Sequence, residues 1–289
     1  MSAGTALIWL LGGARGGHLA AYFCAFGALW AEAFLVRLEA LRRLAWGAFG
    51  LAALAGGAWF VGETINFSGA ADWAGLSAAL PVVLTQTRFG YVLAGRLGML
   101  LGALALAELG ARRAGAWLAL LGCVAESWLG HGGAMLGSAE GDVLFGCALA
   151  HVGAAALWMG TLPALLLVVA KAPEAELAPV MRRFSKLGMG CVVAILATAL
   201  VQVWLLVGRV GALVSSVYGR LALAKFALLL ALLGLAWVHK FRLTPALPAS
   251  RARFLRSLAV ETGVGLLVLL LAGFLLQFQP PAMAAMAGG

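Results

Sequence analysis

The chain has 289 residues, 64% of them hydrophobic and 11% charged, with a formal net charge of +9. Soluble domains carry about 25% charged residues, so this chain lacks the polar surface to stand alone in water, and its mean hydropathy of +1.02 makes lipid its solvent. The 20 Lys and Arg residues sit in short clusters between long apolar runs and form no continuous basic face, which excludes nucleic acid as a partner despite the basic charge.

The N-terminus has no basic run before its short apolar stretch Ala6–Leu11, so no cleaved signal peptide is expected, and the first long helix serves as an uncleaved anchor. A bilayer core about 30 Å thick needs about 20 apolar residues per helix, and backbone groups there must pair within their own segment. Eight segments meet that demand, roughly 17–36, 44–66, 90–109, 115–131, 143–170, 187–208, 219–239 and 257–277. The predicted fold class is therefore all-α: a polytopic membrane protein, multi-pass, with a single transmembrane domain over residues 1–289.

The connections set the orientation. Arg37, Arg42 and Arg43 follow the first span, and Arg112 and Arg113 follow the third. Lys171, Arg182, Arg183 and Lys186 follow the fifth. Lys240, Arg242, Arg251, Arg253 and Arg256 follow the seventh. Fourteen of the 20 basic residues thus lie on one side. The other side holds Arg15, Arg88, Arg209 and Arg220, while Arg96 and Lys225 fall within spans. Positive charge marks the cytoplasmic face, so with eight spans both termini lie outside, in the periplasm of a Gram-negative cell. The longest outer connection, 67–89, contains Asp72, Trp73 and Pro81 and is expected to form a short interfacial helix. The 39 glycines suit close helix packing.

Ionisable residues inside a span are costly and face the protein interior. His18, Glu32, Glu63, Arg96, Glu126, His131, His151, Lys225 and Glu261 are of this kind. The fourth span ends Glu126-Ser-Trp-Leu-Gly-His131 and the fifth begins near Asp142, so the two are antiparallel neighbours. Cys147 and His151 share one face of the fifth. A rise of 1.5 Å per residue puts His151 roughly 12 Å below the start of that helix, and Glu126 roughly 7–8 Å below His131. His131, His151, Cys147 and Glu126 are thereby predicted to line one pocket in the outer leaflet, with Met135 in the loop above it. His18, at the outer end of the first span, joins them if that helix packs there. Imidazole, thiolate and thioether suit copper ions, Cu(I) ahead of Cu(II). The plainer reading is that Cys147 packs as a small hydrophobe and each histidine bonds a backbone carbonyl. Arg88, Arg96, Arg220 and Lys225 are expected to pair with Glu126, Glu63 or Asp142, and Glu32 and Glu261 with inner arginines. His239, beside Lys240 and Arg242, is expected at the inner surface in contact with water or headgroups.

The four cysteines form no CxxC and bracket no loop, so no disulfide framework is expected. There is no phosphate-binding glycine loop and no HExxH, and the chain is not expected to be an enzyme.

Several stretches together resemble the copper resistance protein D family. His151-Val-Gly-Ala-Ala-Ala-Leu-Trp158-Met159-Gly-Thr-Leu-Pro163 is similar to its H-x-x-x-A-A-x-W-x-G-x-L signature. Arg183-Phe-Ser-Lys-Leu-Gly188, Tyr218-Gly-Arg-Leu-Ala-Leu-Ala-Lys225, Arg242-Leu-Thr-Pro-Ala-Leu247 and Leu255-Arg-Ser-Leu-Ala-Val-Glu261 resemble segments around its later helices. Thr87-Arg-Phe-Gly90 and Gly130-His131 resemble the start of its third helix and the end of its fourth. The similarity is dense over about 85–277 and thin before it. His131 and His151 match motif positions, whereas Cys147 does not clearly match one. The resemblance implies an inner-membrane protein of eight helices that moves copper from periplasm to cytoplasm with a periplasmic copper-binding partner. Two alternatives share the same side chains: a non-transporting copper-delivery or assembly partner, and a haem-binding electron-transfer protein with histidines as axial ligands.

Overall fold

The computed structural model describes residues 3–247 and 249–287, helical with no strand among them. Its first five helices are α1 (Ala3–Phe34), α2 (Glu39–Ser68), α3 (Trp73–Gln86), α4 (Arg88–Glu108) and α5 (Arg112–Val124). After a 3-10 segment at Ala125–Leu129 come α6 (His131–Ala134), α7 (Ala139–Met159), α8 (Leu162–Lys171), α9 (Glu174–Val207), α10 (Val210–Ser215) and α11 (Val217–Val238). A π-turn at His239–Leu243 precedes α12 (Arg251–Leu275) and α13 (Pro281–Ala287).

Among the described residues, six helical stretches are long and apolar enough to cross a membrane: α2, α4, α7–α8, α9, α11 and α12. The other two expected spans, 17–36 and 115–131, are helical but differ in kind. The first belongs to α1, whose hydropathy is lowered by Arg15, His18 and Glu32. The second is the 13-residue α5 with its five-residue 3-10 extension. The expected interfacial segment does form a helix, α3, started by the Asp72 carboxylate accepting from Gly75 N at 2.8 Å.

α1 is the axis of the bundle. It packs against α2, α4, α5, α7, α8 and α12, and Tyr22, Phe23, Phe26 and Leu29 on it are buried in the main core. In lipid there is no hydrophobic force between helices, so close association relies on small residues that let backbones meet. Gly27 shows this: a Cβ there would lie 2.6 Å from the Thr161 amide nitrogen, where α1 crosses the break between α7 and α8. The outward faces are the reverse. Leu200 and Trp204 on α9, Phe226 and Leu230 on α11 and Leu54 on α2 are large, apolar and exposed, as a lipid-facing surface requires.

Three helices begin in the same way. Thr87, Ser138 and Ser216 each adopt an extended backbone and accept a hydrogen bond from the amide three residues on, at Gly90, Gly141 and Gly219. The hydroxyl satisfies an amide that the new helix leaves without a carbonyl. Each of these glycines sits against a backbone carbonyl just before it, Val83, Met135 or Ala212, where a Cβ would not fit. The unit of short helix, hydroxyl cap, glycine and long helix therefore recurs at α3–α4, α6–α7 and α10–α11, on the end of the bundle opposite the basic turns.

Candidate functional site

The polar centre lies towards that same end. The 3-10 segment after α5 turns Glu126 towards α1 and α4. There Arg15 Nη2 and Nε donate to Glu126 Oε1 at 2.6 and 3.1 Å, and Arg96 Nη1 donates to Oε2. Arg15 Nη2 also reaches the Leu129 carbonyl at 3.2 Å. Arg96 is wholly buried, and Arg15 and Glu126 nearly so. Arg15 lies over the Trp59 ring and Arg96 over Tyr22, each 4.8 Å from the ring centre. One carboxylate thus balances two guanidinium groups, and both its oxygens are taken, so Glu126 serves as their counter-ion.

His18 stands among the same side chains, its ring 5.8 Å from both Tyr22 and Trp59. Gly56 makes room for it, since a Cβ there would meet His18 Nδ1 at 2.9 Å. His18 Nδ1 lies 2.8 Å from the Ala52 carbonyl. A carbonyl only accepts, so Nδ1 carries the proton and Nε2 holds a lone pair. That Nε2 is buried and has no partner. A ring whose second nitrogen is held by a carbonyl is oriented as metal-ligating histidines are.

His131 opens α6, and Gly132 beside it fits against α7 only because it has no side chain: a Cβ would lie 2.9 Å from Phe145 Cα. His131 faces Tyr218 edge-on at 5.9 Å, and its Nε2 is buried without a partner. Met135 packs on the small cluster that includes Tyr218, close to His131 in the fold. A cavity of about 360 Å³, lined in part by Phe67, Arg88, Trp128, Gly130 and Ala134, lies beside this turn.

His151 faces another way. Its Nδ1 is 3.0 Å from Thr198 Oγ1 on α9. Thr198 donates its own proton to the Ala194 carbonyl at 2.6 Å, so its oxygen accepts from Nδ1–H and leaves His151 Nε2 with the lone pair. Cys147, one turn nearer the start of α7, is a free thiol of intermediate exposure.

The side chains predicted to share one pocket therefore fall apart in their contacts: His18 stands with Glu126 and its arginines, His131 with Tyr218 and near Met135, and His151 against Thr198, with Cys147 one turn before it on α7. Among the described residues no three His, Cys, Asp or Glu side chains come within reach of one metal ion.

Of the expected pairings, Arg96 does hold Glu126, and Glu32 is held by Arg42 and Arg112. Others differ. Arg88 donates to the Gly133 carbonyl and Arg220 to those of Val214 and Ser215. Glu63 accepts from Trp59 and Asn66, and Asp142 from Gly137 N. His239 is buried rather than at the surface: Nδ1 meets Glu261 Oε2 and Nε2 meets Ser257 Oγ, both at 2.7 Å. Glu261 thus pairs with a histidine and not with an arginine. Ser257 and Glu261, four apart on α12, were the signal for this contact.

Residues 3–142 match the family Copper resistance protein D-like, N-terminal domain, and residues 178–275 match Copper resistance protein D. The copper resistance protein D of Pseudomonas syringae pv. tomato is 32% identical over 241 residues, covering 76% of this chain and 77% of that protein. The chain belongs to the copper resistance protein D family. It is accordingly a copper-related membrane protein with several membrane-crossing helices. Within this copper resistance protein D homologue, the N-terminal match contains Arg15, His18, Arg96, Glu126, His131 and Met135. The C-terminal match contains Thr198, Tyr218, Lys225, His239 and Glu261. Cys147 and His151 fall between the two. No solved structure matches the chain.

Proposed function

We propose that the chain imports copper ions across the inner membrane, from periplasm to cytoplasm, taking them up at the end of the bundle opposite the basic turns. One observation carries the reading. Histidines 18 and 151 each have Nδ1–H tied to a protein acceptor, so Nε2 presents a lone pair, and Nε2 of His131 is buried with nothing bonded to it. Buried polar nitrogens ordinarily have partners, and nitrogens left open in the same half of a bundle suit a cargo that supplies the missing bond. Cu(I) accepts imidazole nitrogen together with thiolate or thioether, which gives Cys147 and Met135 places beside His151 and His131. Separate imidazole stations also suit passage, since a transported ion must be held firmly enough to enter and loosely enough to leave. The copper-related family supports copper as the cargo. A periplasmic copper-binding protein is the expected donor, and the paired Arg15–Glu126–Arg96 cluster would keep the turn carrying His131 in place.

The test is copper accumulation in cells making the parent or the H131A, H151A or C147S chain at equal membrane levels. The histidine variants are expected to accumulate copper several-fold more slowly, with a smaller loss for C147S. Parent-like uptake in both histidine variants overturns the site. Vesicles holding a copper indicator separate import from delivery: no signal with the purified parent chain overturns import and leaves a protein that receives copper without moving it.

A further inference from the structure

The basic end of the bundle holds a cavity that the copper reading does not use. It has a volume of about 270 Å³ and lies between the C-terminal end of α1 and the α4–α5 turn. Arg37, Arg112, Arg113 and Glu32 line it. Three guanidinium groups and one carboxylate leave the walls with an excess of positive charge. The carboxylate is already engaged, because Glu32 Oε1 accepts from Arg42 Nη2 at 2.6 Å and from Arg112 Nε at 3.1 Å. Arg112 spends only its Nε there. Arg37 has no hydrogen bond or ion pair among the described residues, and Arg113 only lies over the Phe34 ring at 5.9 Å. The other oxygen of Glu32 is buried and unpartnered, on a side chain that is 5% exposed. The cavity therefore presents unspent cationic donors together with one acceptor that lacks a donor.

Its depth is marked by tryptophans, which gather where headgroups meet hydrocarbon. Trp46 donates to Glu108 at the end of α4 and is 39% exposed. Trp117 stands edge-on to Trp30 and is 53% exposed. Leu109, next to the cavity-lining Gly110, is also exposed. The mouth thus opens at the level of lipid headgroups on the basic side, where anionic lipids attract Lys and Arg.

We propose that this cavity binds the phosphate of an anionic phospholipid headgroup. Arg37, Arg112 and Arg113 hold the phosphate oxygens through charge-assisted hydrogen bonds, and a headgroup hydroxyl donates to the open oxygen of Glu32. The cavity is smaller than the about 300–1,000 Å³ typical of sites that enclose a whole ligand, so it takes the headgroup and leaves the acyl chains in the bilayer. The proposal is independent of the copper reading.

The full chain, purified in mild detergent, is titrated with phosphatidylglycerol or phosphatidylcholine and retained lipid is counted by native mass spectrometry. The parent is expected to hold one phosphatidylglycerol well above the phosphatidylcholine background. In R37Q/R113Q, which leaves the Glu32 ion pairs intact, phosphatidylglycerol binding is expected to weaken about thirtyfold, a factor of about five per basic residue, with phosphatidylcholine unchanged. R37K/R113K keeps the charge and is expected to fall between. Equal retention of phosphatidylglycerol by parent and R37Q/R113Q, or equal binding of both lipids by the parent, overturns the site. Inorganic phosphate is the second probe. If it displaces the lipid and alone raises the unfolding temperature of the parent but not of R37Q/R113Q, the site belongs to a soluble phosphate and the lipid assignment is overturned.

Discussion

Replacing Glu126 by Gln keeps the shape of the side chain and removes the single negative charge between Arg15 and Arg96. All three groups are buried, with side chains 6%, 5% and 0% exposed for Arg15, Glu126 and Arg96. Removing one partner of a buried ion pair costs about 3–5 kcal/mol, because the remaining charge stays desolvated. E126Q strands two cations, so its cost belongs at the upper end. R15Q differs in kind: it leaves the Arg96–Glu126 pair neutral and loses charged hydrogen bonds worth about 1.5–3 kcal/mol. At about 5 kcal/mol and about 2–4 °C per kcal/mol for a domain of this order, E126Q should lower the unfolding temperature by roughly 10–20 °C. The assay is the temperature at which detergent-solubilised protein leaves its monodisperse peak in size-exclusion chromatography. The ordering decides the matter. R15Q must lie above E126Q, and R15Q/E126Q must recover part of the E126Q loss because it strands one cation where E126Q strands two. If E126Q is as stable as R15Q, or the double variant shows the simple sum of the single losses, Glu126 is not the counter-ion of this cluster.

Two further outcomes follow from the packing. G27A places a methyl against the Gly160–Thr161 backbone and should cost at least about 1–3 kcal/mol, whereas G13A, with open space at its Cβ, should stay within about 0.5 kcal/mol; thermal unfolding of both reads the difference. H239L strips Glu261 of its partner at a site 2% exposed and should cost about 1–3 kcal/mol, with H239L/E261L recovering most of it in the same assay.

Six of the eight expected spans were legible because a hydropathy pattern survives whatever the tertiary arrangement. The same pattern misread Arg15. Gly12-Gly13, Arg15 and Gly16-Gly17 interrupt the apolar run, so the first span was expected from residue 17 and Arg15 among the outer connections. In the structure α1 begins at Ala3, and Glu126, 111 residues away, makes the arginine acceptable inside it. Depth allowed the Arg96–Glu126 pairing but did not choose it, since Glu63 and Asp142 were equally open as partners and turned out to be held elsewhere. His239 was misread: two basic neighbours suggested water, and the Ser257–Glu261 spacing on α12 gains its meaning only once the turn after α11 aims the ring at that helix. The three histidines of the candidate site were visible as intramembrane oddities. Their division between neighbouring helix groups was hidden, because it depends on which face of α7 meets α9.

α9 is one helix of 34 residues, about 51 Å at 1.5 Å per residue, against a hydrocarbon core of about 30 Å. Its first turns, with Arg182, Arg183 and Lys186, therefore stand beyond the bilayer while Thr198, further along the same rod, touches His151. That end is not free to swing, because Leu177, Val180 and Met181 are buried in the main core, so the rod that carries Thr198 is anchored to the bundle about 26 Å away at Met181.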